Sequence, residues 1–181
     1  GSTVLSGLDD MPKGMLMWRG ILQWLGGVGI IVVAMVFLPE LRVGGMQIFR
    51  SEGFDTFGKI LPRATQISSR ISVIYLVLTA ICAAFYVLAG MSVFDATVHA
   101  MTTIATGGFA NYDASFGAHS ALAEYVAVVF MLLAALPFVR FVQLMAGTAK
   151  PLFYDSQIRA FFATAAVIVL MLTLRQIPRA D

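Results

Sequence analysis

The sequence predicts an all-α integral membrane protein. Of its 181 residues, 59% are hydrophobic and only 12% are charged, whereas a soluble domain has about a quarter of its residues charged. The apolar residues are gathered into long segments, and the basic residues are concentrated in alternate loops between them. Together these observations favour several membrane-spanning helices joined by short loops.

Four apolar segments are long enough to cross a membrane. A helix needs roughly 20 apolar residues to cross a hydrocarbon core about 30 Å thick. The segments that meet this requirement are residues 14–38, 71–91, 122–144 and 158–174. Membrane strands are about ten residues long and alternate between apolar and polar residues, so these longer apolar segments are predicted to be helices.

The basic residues predict how the segments are oriented. The loop over residues 40–70 carries five Lys or Arg residues, residues 92–121 carry none, and the next loop carries Lys150 and Arg159. Loops rich in Lys and Arg lie on the cytoplasmic side of a membrane. We therefore expect the basic loops in the cytoplasm and residues 92–121 outside, although the two Arg residues after the fourth segment depart from this pattern.

Residues 54–64, within the first basic loop, have the pattern of an amphipathic helix. Apolar residues recur at helical spacing on one face, and Asp55, Lys59 and Arg63 recur every four residues on another. Such a helix either lies at an interface and docks a cytoplasmic partner, or packs on its own protein. The second interpretation is favoured because amphipathicity is usual for surface helices.

The loop between the second and third segments is predicted to enter the membrane without crossing it. A helix is predicted over residues 93–104, which is too short to span, and Ala105-Thr106-Gly107-Gly108-Phe109 follows it. Irregular backbone at membrane depth is tolerated only where protein buries it or where it lines a water-filled cavity. A re-entrant hairpin of this kind therefore predicts a cavity-lining loop.

The chemistry of this loop suits a cation. Consecutive backbone carbonyls can replace the water shell of an ion, glycines allow the backbone to turn, and the negative C-terminal end of a helix favours positive charge. The alternative is that Gly107 and Gly108 only end the helix, because glycine ends roughly a third to a half of helices.

Three ionisable residues near the apolar segments have two interpretations each. Asp95 and His99 lie four residues apart on the short helix, so they could meet on one face as a proton relay, or serve in helix packing or in a hydrogen bond of the outer vestibule. Arg140 follows Pro137 within the third segment, where it could act in the pathway or extend its charge to the cytoplasmic interface.

The start of the chain repeats the hairpin arrangement. Gly1-Ser2-Thr3 is followed by a polar stretch and then by the first apolar segment, and aligning Gly1 with Gly107 places Gly14 against Ser120. Internal repeats are a common way to build a transport pathway, with binding sites at the interface between repeats. The sequence thus predicts the end of one unit followed by a complete second unit.

Five motifs in this sequence carry a family resemblance. They are residues 1–9 (GSTVLSGLD), Trp18-Arg19, residues 23–30 (QWLGGVGI), residues 102–109 (TTIATGGF) and Leu136-Pro137-Phe138. With these motifs the sequence resembles the TrkH proteins of the Trk/Ktr/HKT superfamily of potassium transporters over essentially the whole chain. The resemblance implies four potassium-channel-like repeats around one pore, each with a helix, a re-entrant pore helix and filter loop, and a second helix.

On the map that this resemblance implies, the chain holds a partial set of repeats. Residues 1–39 are the end of the filter loop and the second helix of repeat one, and residues 40–70 are a cytoplasmic linker. Repeat two is complete over residues 71–147, and residues 148–181 are a linker and the first helix of repeat three. The parts of repeat two are the first helix (71–91), the pore helix (93–104), the filter (105–109) and the second helix (121–145).

The resemblance also implies the ligand and the partners. Potassium ions would bind the carbonyls of Ala105, Thr106, Gly107 and Gly108, where Gly107 matches the filter glycine of the family and Gly1 takes the equivalent place in repeat one. Members of the family are multi-pass proteins of the cell inner membrane, surrounded by lipid. They typically form homodimers and work with a cytoplasmic nucleotide-binding regulatory subunit of the TrkA type.

Other classes of protein find less support in the sequence. It holds no recognisable set of nucleophile, base and orienting residue and no phosphate-binding glycine motif, so an enzyme is not predicted. The net charge of +2 is too small to predict nucleic-acid binding. Two alternatives to a potassium pore stay open, namely a non-conducting membrane scaffold with an interfacial short helix and a secondary transporter of another small solute.

Overall fold

The computed structural model describes residues 5–37, 64–148, 150 and 154–176, with side chains at all of these except residues 30–37, 64–68 and 176. All regular structure in these ranges is helical, as predicted. The α-helices, numbered in chain order, are α1 (Lys13–Phe37), α2 (Ala64–Leu88), α3 (Val93–Ile104), α4 (Ala121–Ala134), α5 (Phe138–Met145) and α6 (Ser156–Gln176). The predicted amphipathic helix over residues 54–64 lies outside the described residues, apart from the backbone of Ala64.

Two of the described helices are long and apolar enough to cross a membrane. They are the part of α2 over Ser69–Leu88 and the part of α6 over Ser156–Arg175, each 20 residues long. The pair formed by α4 and α5 adds a third if it is one bent span. In the first apolar segment, α1 extends over 25 residues, and the side chains of its last eight lie outside the described part.

The third apolar segment differs from its prediction. The sequence predicts one helix over residues 121–145, but the structure has two shorter helices, α4 and α5. Pro137 explains the break, because proline has no backbone N–H and its ring collides with the carbonyl four residues earlier in a continuous helix. Before the break, the Ala135 N–H donates to the Met131 carbonyl at 2.9 Å, which closes the last turn of α4. The prediction of a single helix is therefore wrong.

The first of two compact units, Gly1–Phe138, places α3 among longer helices. Within this unit α3 contacts α1, α2 and α4, although it is only 12 residues long. Its buried residues are Ala96, Val98, His99, Ala100, Thr102, Thr103 and Ile104. The short helix is therefore an interior element of the unit.

Two hydrogen bonds join α1 to α2, and a third within α2 links their partners. The Tyr75 hydroxyl donates to the Trp24 carbonyl at 3.0 Å, and the indole N–H of Trp24 donates to Thr79 Oγ1 at 3.0 Å. The Thr79 hydroxyl in turn donates to the Tyr75 carbonyl at 2.8 Å. Because Trp24 is held by both its backbone and its side chain, the part of α1 around it is fixed in position along the axis of α2.

A buried pair of hydroxyl groups joins α2 to α3. The side-chain oxygens of Tyr86 and Thr103 are 2.6 Å apart, and both residues are fully buried. We expect Tyr86→Phe to lower the free energy of unfolding by about 1–3 kcal/mol, because the Thr103 hydroxyl stays buried without this partner. Denaturant unfolding in detergent of the complete protein that carries this sequence measures the loss.

The control for this prediction is a tyrosine on the outside of the helices. Tyr125 is 71% exposed, so Tyr125→Phe is expected to leave the free energy of unfolding within about 0.5 kcal/mol of the original. Equal losses in the two variants would contradict a special role for the buried pair.

The second unit, Val139–Asp181, contains α6 and an ion pair that precedes it. Arg140 Nη2 lies 2.7 Å from Asp155 Oδ2, and Arg140 Nε donates to the same oxygen at 2.8 Å. Burial raises the pKa of Asp155, but hydrogen bonds from the Gln157 N–H and from Arg140 outweigh it, so the pKa of Asp155 is lowered. Arg140 is thus neutralised by a carboxylate next to the start of α6.

Candidate functional site

The candidate site is the loop Ala105–Phe109, here called the glycine loop, together with the helix α3 that leads into it. The structure begins α3 at Val93 because the side chain of Ser92 caps the helix, accepting a hydrogen bond from the Asp95 N–H at 3.1 Å. The helix ends at Ile104, which is the range in which the sequence predicts a short helix. The glycine loop itself is partly accessible, and Thr106 is exposed.

The backbone amides of the glycine loop turn back toward α3. The Thr106 N–H donates to the Thr103 carbonyl at 2.9 Å, and the N–H groups of Gly107 and Gly108 both donate to the Thr102 carbonyl, at 2.8 and 3.1 Å. Within the described part of the chain, the carbonyl oxygens of these three loop residues accept no hydrogen bond from a backbone amide. These three amides are therefore bonded to α3, while the carbonyls of the same residues accept no backbone amide. The other two carbonyls of the loop, those of Ala105 and Phe109, accept the hydroxyl groups of Thr106 and Thr102.

The backbone of the glycine loop is left-handed at alternate positions. Thr106 has φ 55° and Gly108 has φ 65°. A positive φ is unusual for any residue with a side chain and is an outlier for a β-branched one such as threonine, and it costs on the order of 1–3 kcal/mol. Such strain persists where the surrounding structure imposes it, and it is frequent at binding sites.

Both glycines of the loop are required by their surroundings. A Cβ at Gly107 would lie 3.0 Å from Gln23 Oε1 and 3.2 Å from a ring carbon of Phe109. A Cβ at Gly108 would collide with the terminal methyl group of Met131 on α4. Ala105 is the C-cap of α3, and Thr106 takes the left-handed position after it. The glycines therefore let the loop turn in a confined space, while their amides help to close the end of the helix.

Thr102 supports the glycine loop in a way that the sequence alone does not indicate. Its hydroxyl lies 2.7 Å from the Phe109 carbonyl and 3.1 Å from the His99 carbonyl, and its own carbonyl accepts the amides of both glycines. Thr102 thus joins both ends of the loop to α3. The sequence signal that could have indicated this support is the pair Thr102-Thr103 at the end of the short helix, because a buried hydroxyl group needs a hydrogen-bond partner.

The N-terminal end of α3 is tied to the segment that follows the glycine loop. The Asp95 carboxylate accepts hydrogen bonds from the Ser92 hydroxyl at 2.7 Å, from Asn111 Nδ2 at 3.0 Å and from the Tyr112 hydroxyl at 3.1 Å. His99 Nδ1 lies 2.8 Å from the backbone carbonyl of Asp95. The two side chains therefore use different partners, and the geometry favours packing over the proton relay.

A second carboxylate joins the segment after the glycine loop to the residues before α1. Asp113 Oδ2 accepts the Gly7 N–H at 3.0 Å, and Asp113 Oδ1 accepts the Leu8 N–H at 3.1 Å. These amides precede α1, whereas Asp113 precedes α4. Gly1, the residue predicted to match Gly107, lies outside the described residues.

The electrostatics of the glycine loop favour a cation. The C-terminal end of a helix carries roughly half a negative charge, and α3 directs this end at the loop carbonyls. Residues 92–121 contain no Lys or Arg that would oppose a cation. Among the described residues no group of three or more His, Cys, Asp or Glu could hold a metal ion, so backbone oxygens are the candidate ligands in this part of the chain.

The fold and this site define an α-helical integral membrane protein with a short interior helix and a carbonyl-bearing loop. Comparison with known families identifies it further. The profile of the TrkH family, described as cation transport proteins, matches residues 1–181. The chain belongs to the TrkH family, which agrees with the prediction of a transport protein that is not an enzyme.

Characterised relatives carry potassium uptake in their names. The Trk system potassium uptake protein TrkI of Halomonas elongata is 44% identical over 176 residues, and TrkH of Vibrio parahaemolyticus is 42% identical over 177 residues. TrkH of Escherichia coli is 38% identical over 178 residues. The matched regions cover 94% to 96% of this chain but only 36% to 37% of each relative, so the chain spans about a third of the length of these proteins.

Proposed function

We propose that the chain is part of a potassium uptake pore and that the carbonyl oxygens of Ala105, Thr106, Gly107 and Gly108 bind the ion. The observation that carries this proposal is the orientation of the loop amides, which donate back to α3 and leave carbonyl groups to replace the water shell of a cation. Of the four carbonyls, that of Ala105 accepts the Thr106 hydroxyl at 2.8 Å. A carbonyl has two lone pairs, so this bond leaves room for an ion.

Potassium is the proposed ion because of the carbonyl ligands of the loop and because of the relatives that the chain resembles. Carbonyl oxygens without a carboxylate give a weak field that suits a large monovalent cation, although whether cavity size or field strength selects potassium in such filters is debated. The relatives named above are potassium uptake proteins. Further repeats, including one with Gly1 at the place equivalent to Gly107, would complete the ring of carbonyls.

The proposed surroundings follow the charge pattern and the family resemblance. We place the glycine loop toward the outside and the basic loops in the cytoplasm of an inner membrane, because residues 92–121 lack Lys and Arg. The complete protein is proposed to form a homodimer and to bind a cytoplasmic nucleotide-binding regulatory subunit of the TrkA type. Cross-linking from the basic loop over residues 40–70 would identify that partner.

Rubidium uptake tests the assignment of the glycine loop. The complete protein is reconstituted in proteoliposomes with its regulatory subunit, and Gly107→Ser is compared with the original under potassium and sodium competition. We expect the preference for potassium over sodium to fall at least about 10-fold, because a displaced carbonyl changes the ligand geometry. The added side chain must displace Gln23 or Phe109.

A glycine elsewhere in the same outer region provides the matched control. A Cβ at Gly117 would meet no atom within 4 Å, so Gly117→Ser is expected to transport with unchanged selectivity. Unchanged selectivity in Gly107→Ser would show that the glycine loop is not the filter. Absence of uptake by the original protein in the presence of its regulatory subunit would favour the membrane scaffold.

A further inference from the structure

The Gln23 side chain on α1 carries a buried acceptor that the proposed pore leaves unexplained. Its Oε1 atom is buried, and among the described residues it has no hydrogen-bond partner. A buried polar atom without a partner is destabilising, and an apolar group of the same shape would be neutral or stabilising at such a position. Stability therefore does not account for an amide at this place.

The unpartnered oxygen lies against the glycine loop. A Cβ built on Gly107 would be 3.0 Å from Gln23 Oε1, which is the nearest atom to that position. The Gly107 N–H cannot satisfy this oxygen in the observed conformation, because it donates to the Thr102 carbonyl. The free acceptor thus lies beside Gly107, at the place where a side chain on this residue would begin.

The position of Gln23 is fixed by its neighbours on α1. A Cβ at Gly27, one turn later, would lie 3.1 Å from the Ala105 Cα, so α1 approaches the start of the glycine loop closely. The adjacent residue Trp24 is anchored to α2 through the hydroxyl groups of Tyr75 and Thr79. A small rotation of α1 therefore cannot carry the Gln23 amide away from Gly107.

We propose that Gln23 is a positioning residue that determines cation selectivity, with its amide dipole acting on the ion from behind Gly107. This inference rests on the proposed function of the glycine loop. No donor offsets the negative end of this amide dipole, and in surroundings of low dielectric constant the dipole acts on a nearby charge more strongly than in water. The nearest charge that the pore can offer is the ion held by the loop carbonyls. Gln23 thereby strengthens the negative field of the filter without itself binding the ion.

Two substitutions of similar shape test the role of the dipole. Gln23→Met removes the acceptor, and Gln23→Glu keeps the acceptor and adds negative charge. We expect Gln23→Met to raise the half-saturating potassium concentration and to lower potassium-over-sodium selectivity, each on the order of 10-fold, which is the scale seen when a group that supports a metal ligand is lost. Gln23→Glu is expected to lower the half-saturating concentration. A purely steric contact would leave both variants unchanged, which would overturn the proposal.

Stability measurements separate this role from a structural one. We expect Gln23→Met to have the same midpoint of thermal unfolding as the original protein, or a higher one, because it removes an unpaired buried acceptor. A fall in the midpoint with unchanged selectivity would mean that Gln23 serves packing alone. Gln157→Met, the same chemical change at an exposed position in the first turn of α6, is expected to alter neither transport nor the midpoint.

Gly107→Ser in the same preparation distinguishes the two proposals. Altered selectivity in Gly107→Ser with unchanged transport in both Gln23 variants overturns the role of Gln23 and leaves the filter assignment standing. Unchanged selectivity in all three variants overturns both. Opposite shifts in the half-saturating concentration for Gln23→Met and Gln23→Glu support the dipole.

Discussion

Gly108→Ala is expected to destabilise the protein by about 1–2 kcal/mol, chiefly through the backbone. Gly108 has φ 65°, a left-handed conformation that costs an L-residue roughly 1–2 kcal/mol. The new methyl group would also meet the terminal methyl group of Met131, which is the end of a flexible side chain and can turn aside at small cost. Rubidium uptake is expected to fall with stability, because the strain falls on the glycine loop itself.

A double-mutant cycle with Met131→Ala separates the two causes. Removing the end of the Met131 side chain relieves the collision but leaves the backbone cost at Gly108. Because the end of the Met131 side chain is flexible, we expect the double variant to be only slightly more stable than the sum of the single effects predicts, by about 0.5 kcal/mol. The cycle is measured by denaturant unfolding in detergent. A coupling energy of zero would mean that Met131 and residue 108 do not meet.

Asp95→Ala is expected to lower the free energy of unfolding by about 2–4 kcal/mol, because hydrogen bonds to a charged group are strong and their partners lose them together. The buried side chain of Asn111 would lose its bond to the carboxylate, and Ser92 and Tyr112 would lose theirs. Uptake is expected to fall too, since this network holds the segment that follows the glycine loop. Thermal unfolding and rubidium uptake measure the two effects.

The same carboxylate predicts a dependence of stability on pH. Burial raises the pKa of Asp95, but hydrogen bonds from Ser92, Asn111 and Tyr112 outweigh it, so the pKa is lowered from its ordinary value of 3.8. A group whose pKa is lower in the folded state stabilises the fold above its ordinary pKa and loses that contribution as the pH falls through the lowered value. Unfolding of the original protein should therefore become easier below pH 3.8.

Asp95→Ala should lose this part of the acid sensitivity. Comparison of unfolding midpoints between neutral pH and the acid range, for the original protein and the variant, tests the assignment. Asp10→Ala provides the control at an exposed carboxylate. The assignment of the acid transition to Asp95 is contradicted if the difference between the original and Asp95→Ala is the same at every pH.

The sequence predicts the short helix well because its signals are local. Ser92 is a good helix cap, and two glycines soon after Ile104 are a common sign of a helix end, so the range of α3 can be obtained without knowledge of the fold, although Thr106 and not a glycine takes the left-handed position after the C-cap. The break at Pro137 is also a local signal, and the prediction of a single helix gave the apolar composition of the segment too much weight relative to the missing N–H.

The support of the glycine loop is not predictable in the same way. The left-handed conformation of Thr106 opposes the local preference of a β-branched residue, so it depends on the surrounding structure. Gln23 is distant in sequence from Gly107, and only the packing of α1 brings the two together. The partners of Asp95 depend likewise on how the segment after the glycine loop folds back toward α3. Local patterns thus predict where the loop lies, whereas its exact geometry depends on contacts between distant parts of the chain.

The Asp113 carboxylate has a mechanical consequence for the end of the helices at which it lies. By accepting the amides of Gly7 and Leu8, it ties the segment before α1 to the segment before α4, which belong to successive repeats on the proposed map. The two hydrogen bonds restrict the motion of one segment relative to the other. A displacement of one segment is therefore resisted by the other.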